Sequence, residues 1–156
     1  MINLESLFIE SKGQPVEISG KLVYMVDRIS ISKSQRVTVS FESKSSVWRQ
    51  GIHLSTVGMF EVNGQKIRNA IVLWEDSAPQ SVEFSIISRD GLCNIKNVWD
   101  VGDGVMHSWH GGAGMQIVED EFGRHYFCND GHAELRFDNL VFSVKLGEGG
   151  VGRVVT

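Results

Sequence analysis

Arg36-Val37-Thr38-Val39-Ser40-Phe41-Glu42 alternates polar and apolar residues over seven positions without a break. Successive side chains of a strand point to opposite faces, so this stretch builds a strand with one dry face and one wet face. Working outward, Val16–Ile18, Leu22–Tyr24–Val26 and Ile29–Ile31 repeat the pattern, with Gly20 as a bend or bulge between the first two. No stretch of about twelve residues shows the 3.6 period of an amphipathic helix. The least strand-like early segment is Ser43–Ser55, which reads as a serine-rich loop with room for one helical turn.

Turn chemistry argues for three hairpins and sets the register of two. Asn63-Gly64 supplies two residues that tolerate positive φ, as a two-residue type I′ turn requires, and it places Phe60 opposite Ile67 and Glu61 opposite Lys66. Asp90-Gly91 predicts a second hairpin, with Ile86 facing Ile95, Val82 facing Trp99, and Ser88 facing Cys93. The third turn is Asp120-Glu121-Phe122-Gly123, which leaves the register open: of the alternatives, a four-residue loop puts Met115, Ile117, Tyr126 and Cys128 on one face. A last strand region follows Asn129-Asp130-Gly131. Its apolar phase changes at Asp138-Asn139, from Leu135 and Phe137 to Leu140, Phe142, Val144 and Leu146, which implies a bulge or bend. Residues 147–156 are glycine-rich and are expected to form a flexible tail. About ten strands without an internal linker make residues 1–146 one all-β domain, an antiparallel β-sandwich of jelly-roll type.

Composition narrows the function classes. With 42% hydrophobic and 22% charged residues in a chain of 156, the protein has an ordinary globular composition. Residues 1–90 carry 10 basic and 10 acidic side chains, whereas residues 91–156 carry 5 and 9, so the whole net charge of −4 lies in the second part. Nucleic acid is therefore not expected as a partner, since phosphate backbones call for clustered Lys and Arg. No apolar run reaches the length of a membrane span, and Glu5 and Glu10 replace the basic start of a secretory signal. Two cysteines do not make a disulfide scaffold, so a cytoplasmic location is expected.

The unusual chemistry gathers in Asp100-Val-Gly-Asp-Gly-Val-Met-His-Ser-Trp-His-Gly-Gly-Ala-Gly114. Five of the thirteen residues from Gly102 to Gly114 are glycine, and His107, Trp109 and His110 sit among them. Loops on a rigid sandwich are where recognition concentrates, and a Trp flanked by His and Asp offers a flat apolar face with hydrogen-bonding groups. The competing reading is that Trp109 folds back to plug the sandwich end. Asp100, Asp103, His107, Trp109, His110, Asn129, Asp130 and His132 are the candidate binding residues, with a protein partner preferred over a small molecule and no cofactor or metal expected. An alternative is a metal- or sugar-binding jelly roll, or a hydrolase on that fold, that uses His107, His110, Cys128 and His132. Their spacings match no strong zinc pattern. No Gly-x-x-x-x-Gly-Lys, Gly-x-Ser-x-Gly or His-Glu-x-x-His motif occurs, so the balance leans away from catalysis.

Overall fold

The computed structural model describes residues 2–149. One short helix, α1 (Leu4–Glu10), precedes eleven strands: β1 (Val16–Ile18), β2 (Lys21–Val23), β3 (Asp27–Ser30), β4 (Ser34–Lys44), β5 (Arg49–Val62), β6 (Gln65–Trp74), β7 (Ser81–Ser88), β8 (Leu92–Asp100), β9 (Gly114–Asp120), β10 (Gly123–Asn129) and β11 (Leu140–Gly149). The fold is all-β and antiparallel, as the alternation implies. β1 and β2 form a separate hairpin, and the other nine strands form one sheet in the order β3-β8-β5-β7-β4-β11-β10-β9, with β6 also paired to β5. The sheet curls into a half-barrel until its two ends meet. Tyr24 and Met115 exchange backbone bonds of 2.8 and 2.9 Å. Buried Asp27 accepts from the Tyr126 hydroxyl at 2.6 Å and from Arg124 at 2.9 Å. Inward residues of all the main strands, including Val37, Val39, Phe41, Ile52, Leu54, Phe84, Ile95, Met115 and Phe142, form a single core inside the curl.

The Asn63-Gly64 hairpin has the expected register, Phe60 opposite Ile67 and Glu61 opposite Lys66, and both turn residues have positive φ (51° and 77°). The third turn places Cys128 opposite Met115 and Tyr126 opposite Ile117, so the four share one face. The Asp90-Gly91 hairpin does not form. β6 occupies one edge of β5 along its length, and β7 and β8 lie end to end along the other. Ser85–Ser88 pair with Gly58–Glu61, whereas Asn94–Asp100 pair with Arg49–Ser55. β3 and β4 are likewise end to end along β8 and β7. Residues 89–91 are thus a jog within one long antiparallel passage. Such kinks let long strands pass from one layer of a folded sheet to the next. Of the dipeptide, only Gly91 has positive φ (71°), whereas a type I′ turn needs two such residues. A polar knot holds the jog. Asp90 Oδ1 accepts from Leu92 N (3.1 Å) and the Ser88 hydroxyl (3.0 Å), and the Thr56 hydroxyl donates to Leu92 O (2.7 Å).

Three local expectations are also corrected. Ser43–Ser55 is mostly strand, because β5 begins at Arg49, and only residues 45–48 connect it to β4. Residues 133–137 are not a strand. Leu135 and Phe137 instead pack onto a second small core of Leu4, Phe8 and Val23, which explains their change of phase. That core also accounts for α1, a seven-residue helix capped by the Asn3 side chain, which accepts from Ser6 N at 3.1 Å. β11 continues to Gly149, three residues into the expected tail, and Gly147 O accepts from buried Gln35 at 2.6 Å. Residues 150–156 lie outside the described residues.

Candidate functional site

The ends of β4, β8 and β10 and the starts of β5, β9 and β11 lie together at one end of the half-barrel. Three connections cover that end: residues 45–48, 101–113 and 130–139. All eight candidate residues lie in these connections or at the strand ends next to them. They divide into two layers with different chemistry.

Asn129 and Asp130 belong to the inner layer, where both are fully buried. The Asn129 amide donates to Gly112 O (2.9 Å) and His132 O (3.1 Å), and its oxygen accepts from Arg136 N (2.8 Å) and Phe137 N (3.2 Å). Asp130 accepts from the Ser46 hydroxyl (2.6 Å), Gln50 Nε2 (2.9 Å), His132 N (3.0 Å) and the His132 ring (2.6 Å between Asp130 Oδ1 and His132 Nδ1). These side chains replace the strand ladder where the chain leaves β10, satisfying backbone groups that would otherwise be stranded away from water. They are joints between loops and have no free edge to present to a ligand. Gln50 Oε1 is buried here without a partner, because its amide nitrogen is held by Asp130 and by Trp48 O. Gly112 fits so closely beneath this layer that a Cβ there would run into the His132 carbonyl.

His132 sits at the boundary. Asp130 fixes one ring nitrogen, and the imidazole stacks on Trp48 with centroids 3.8 Å apart. His107 and His110 form a second pair, ring nitrogens 3.2 Å apart, packed against buried Trp99. Trp99 and His107 exchange two backbone bonds, which close residues 100–106 into a small loop.

The outer layer is that loop and its continuation to Trp109. Asp100 Oδ1 accepts from Gly102 N (2.7 Å) and Gly104 N (3.2 Å), and Asp103 Oδ1 accepts from Val105 N (3.1 Å). The Gly102 amide and its neighbours hold the Asp100 carboxyl below its ordinary pKa. Both aspartates thus brace the turn from within while remaining near the surface. Trp109 has φ of +60°, and His110 N donates to Ser108 O across it at 2.7 Å. This is a γ-turn of the strained hand, unusual for a bulky residue. The strained backbone points Trp109 outward, 41% exposed, so it does not plug the sandwich end. Val101, Val105 and Met106 are also exposed on the loop, and Val47 stands 86% exposed on the 45–48 connection at the same end.

The exposed apolar set is the part of the site that sequence reasoning missed, together with Trp48 as the platform for His132. Val105 and Met106 belong to no periodic pattern, which was the available signal for residues that no strand would bury. The four-ligand alternative is not assembled. Cys128 is buried in the main core, where burial raises its thiol pKa well above the ordinary value, and His132 is separately engaged by Asp130. Among the described residues, no group of three or more His, Cys, Asp or Glu side chains is placed to hold a metal ion. Nor is any helix there long and apolar enough to cross a membrane. No protein-family model, curated protein or solved structure matches this chain.

Proposed function

We propose that this protein is a non-catalytic binding module that captures a protein partner with the loop Asp100–His110. The observation that carries the reading is the braced, strained loop that holds Trp109, Val101, Val105 and Met106 in solvent. Exposed apolar side chains clustered at a loop tip favour an interface, and strain held at a left-handed Trp is the kind of feature that function maintains. A loop already ordered by Asp100, Asp103 and the Trp99–His107 bridge loses little entropy on binding. Trp109 and Met106 would anchor the contact, with Asp100 and Asp103 as an acidic rim that favours a partner with basic residues around an apolar patch. The cytoplasm remains the proposed compartment, supported by two unpaired, buried thiols, Cys93 and Cys128.

The test is affinity capture with the wild-type protein and with Met106→Asp in parallel, followed by calorimetry on the purified partner. A partner retained by wild type should bind Met106→Asp at least about a hundredfold more weakly, as expected for a buried apolar anchor replaced by a charge. Equal affinity of the two forms would overturn the assignment.

A further inference from the structure

We infer that a second site, on the outer face of β3, β8 and β5, binds a small phosphate monoester. A cavity of about 660 Å³ lies there. Its floor is the sheet face, and its roof is the α1–β1 connection with the residues between β2 and β3. That volume falls in the range of pockets for metabolite-sized ligands.

Charge sets the ligand class. Strand register places Arg28 opposite Asn94 and Ser55 opposite Asn94 in one row, and Lys96 opposite His53 in the next. Arg28 and Lys96 are therefore diagonal neighbours, about 7–8 Å apart at the backbone, and Lys12 reaches the same cavity from the roof. Among the described residues none of the three cations pairs with a carboxylate. Asp27, the one acid in the lining, is already held by Arg124 and Tyr126. Three cations without a carboxylate partner around one cavity, in a chain of net charge −4, give that cavity a locally positive field that favours an anion.

The geometry of the donors fits a phosphate. Arg28 donates through Nε to Asn94 Oδ1 at 2.9 Å, which fixes the guanidinium plane and leaves its terminal nitrogens for a two-point contact. Lys96 is steadied by the Ser108 hydroxyl at 3.3 Å. Burial, and secondly the Lys96 charge, hold the His53 imidazole below its ordinary pKa, so at neutral pH it offers one donor and one acceptor. His53 and Ser55 suit the hydroxyls of the organic part, while Met25 and Pro15 supply apolar contact. A dianionic head with a polar body answers three cations better than a single carboxylate does.

Amide-resolved NMR titration with glucose 6-phosphate, AMP, succinate, inorganic phosphate and uncharged glucose tests this. Saturable shifts at Arg28, His53, Asn94 and Lys96 with the two phosphate monoesters, and none with glucose, are expected. Arg28→Gln and Lys96→Gln should each weaken that binding about tenfold, as for loss of one charge-assisted contact, while Met106→Asp and Lys66→Gln should leave it unchanged. Absence of saturable shifts in the wild-type protein would overturn the site even if a variant failed to fold. Equal binding of inorganic phosphate would reduce it to an adventitious anion contact, and tighter binding of succinate would overturn the phosphate class. Retention of monoester binding in Met106→Asp keeps this outcome separate from the fate of the loop site.

Discussion

Two layers at the same end of the half-barrel carry similar residue types and use them in opposite ways. In the inner layer, Asn129, Asp130 and Gly112 are enclosed, and the two polar side chains spend their hydrogen bonds on the loops around them. In the outer layer, Asp100 and Asp103 brace a loop whose apolar side chains have nothing to cover them. The difference teaches that a cluster of Asp, Asn, His and Gly at the end of such a half-barrel is not one site. The inner members secure the ends of strands so that the outer members can be displayed on a rigid base.

The sharpest way to break this division is Asp130→Ala. It would leave the His132 backbone and ring without their acceptor and the Gln50 amide with Trp48 O alone, costing about 3 kcal/mol or more. For a chain of this size that is a fall in Tm of about 10 °C, readable by calorimetry. A fall of less than about 2 °C would remove Asp130 from the scaffold and return it to the candidate binding residues. Gly112→Ala comes next, since its methyl group must displace the His132 carbonyl. Overpacking of this kind costs about 2 kcal/mol, or about 6 °C in Tm. An unchanged Tm would show that the two loops are not tightly joined.

The smallest stability effect is expected for Trp109→Gly. Glycine adopts the left-handed conformation without strain, which relieves about 1 kcal/mol and offsets its greater entropy in the unfolded chain. Tm should therefore stay constant or rise by about 2 °C while partner binding falls. A fall in Tm of more than about 4 °C would mean that Trp109 supports the fold, and the two layers would no longer be distinct.

Most of the strand framework was legible in the sequence. Val37, Val39 and Phe41 are buried as their alternation implies, and Asn63-Gly64 reverses the chain in the expected register. α1 escaped notice because seven residues make fewer than two helical turns, too few to show a 3.6 period. Its stability comes instead from Leu4 and Phe8, one turn apart, packing on Val23. At the candidate site the loop was visible from its glycine, His and Trp content, but the division of its residues was not. Asn129 and Asp130 look like surface turn residues until the loops meeting around them are known.

Local physics explains what the sequence determined by itself. Period-two alternation and a turn with two positive-φ residues concern energies within a few neighbouring residues, so the all-β class and the Asn63-Gly64 hairpin followed directly. Only tertiary structure decided that β7 and β8 share β5 as a neighbour, converting Asp90-Gly91 from a reversal into a jog. The choice between those paths depends on burying both strands against a third, and no local signal reports that. The same holds for the site: burial by distant loops made Asn129 and Asp130 structural, and the absence of such cover left Trp109 facing solvent.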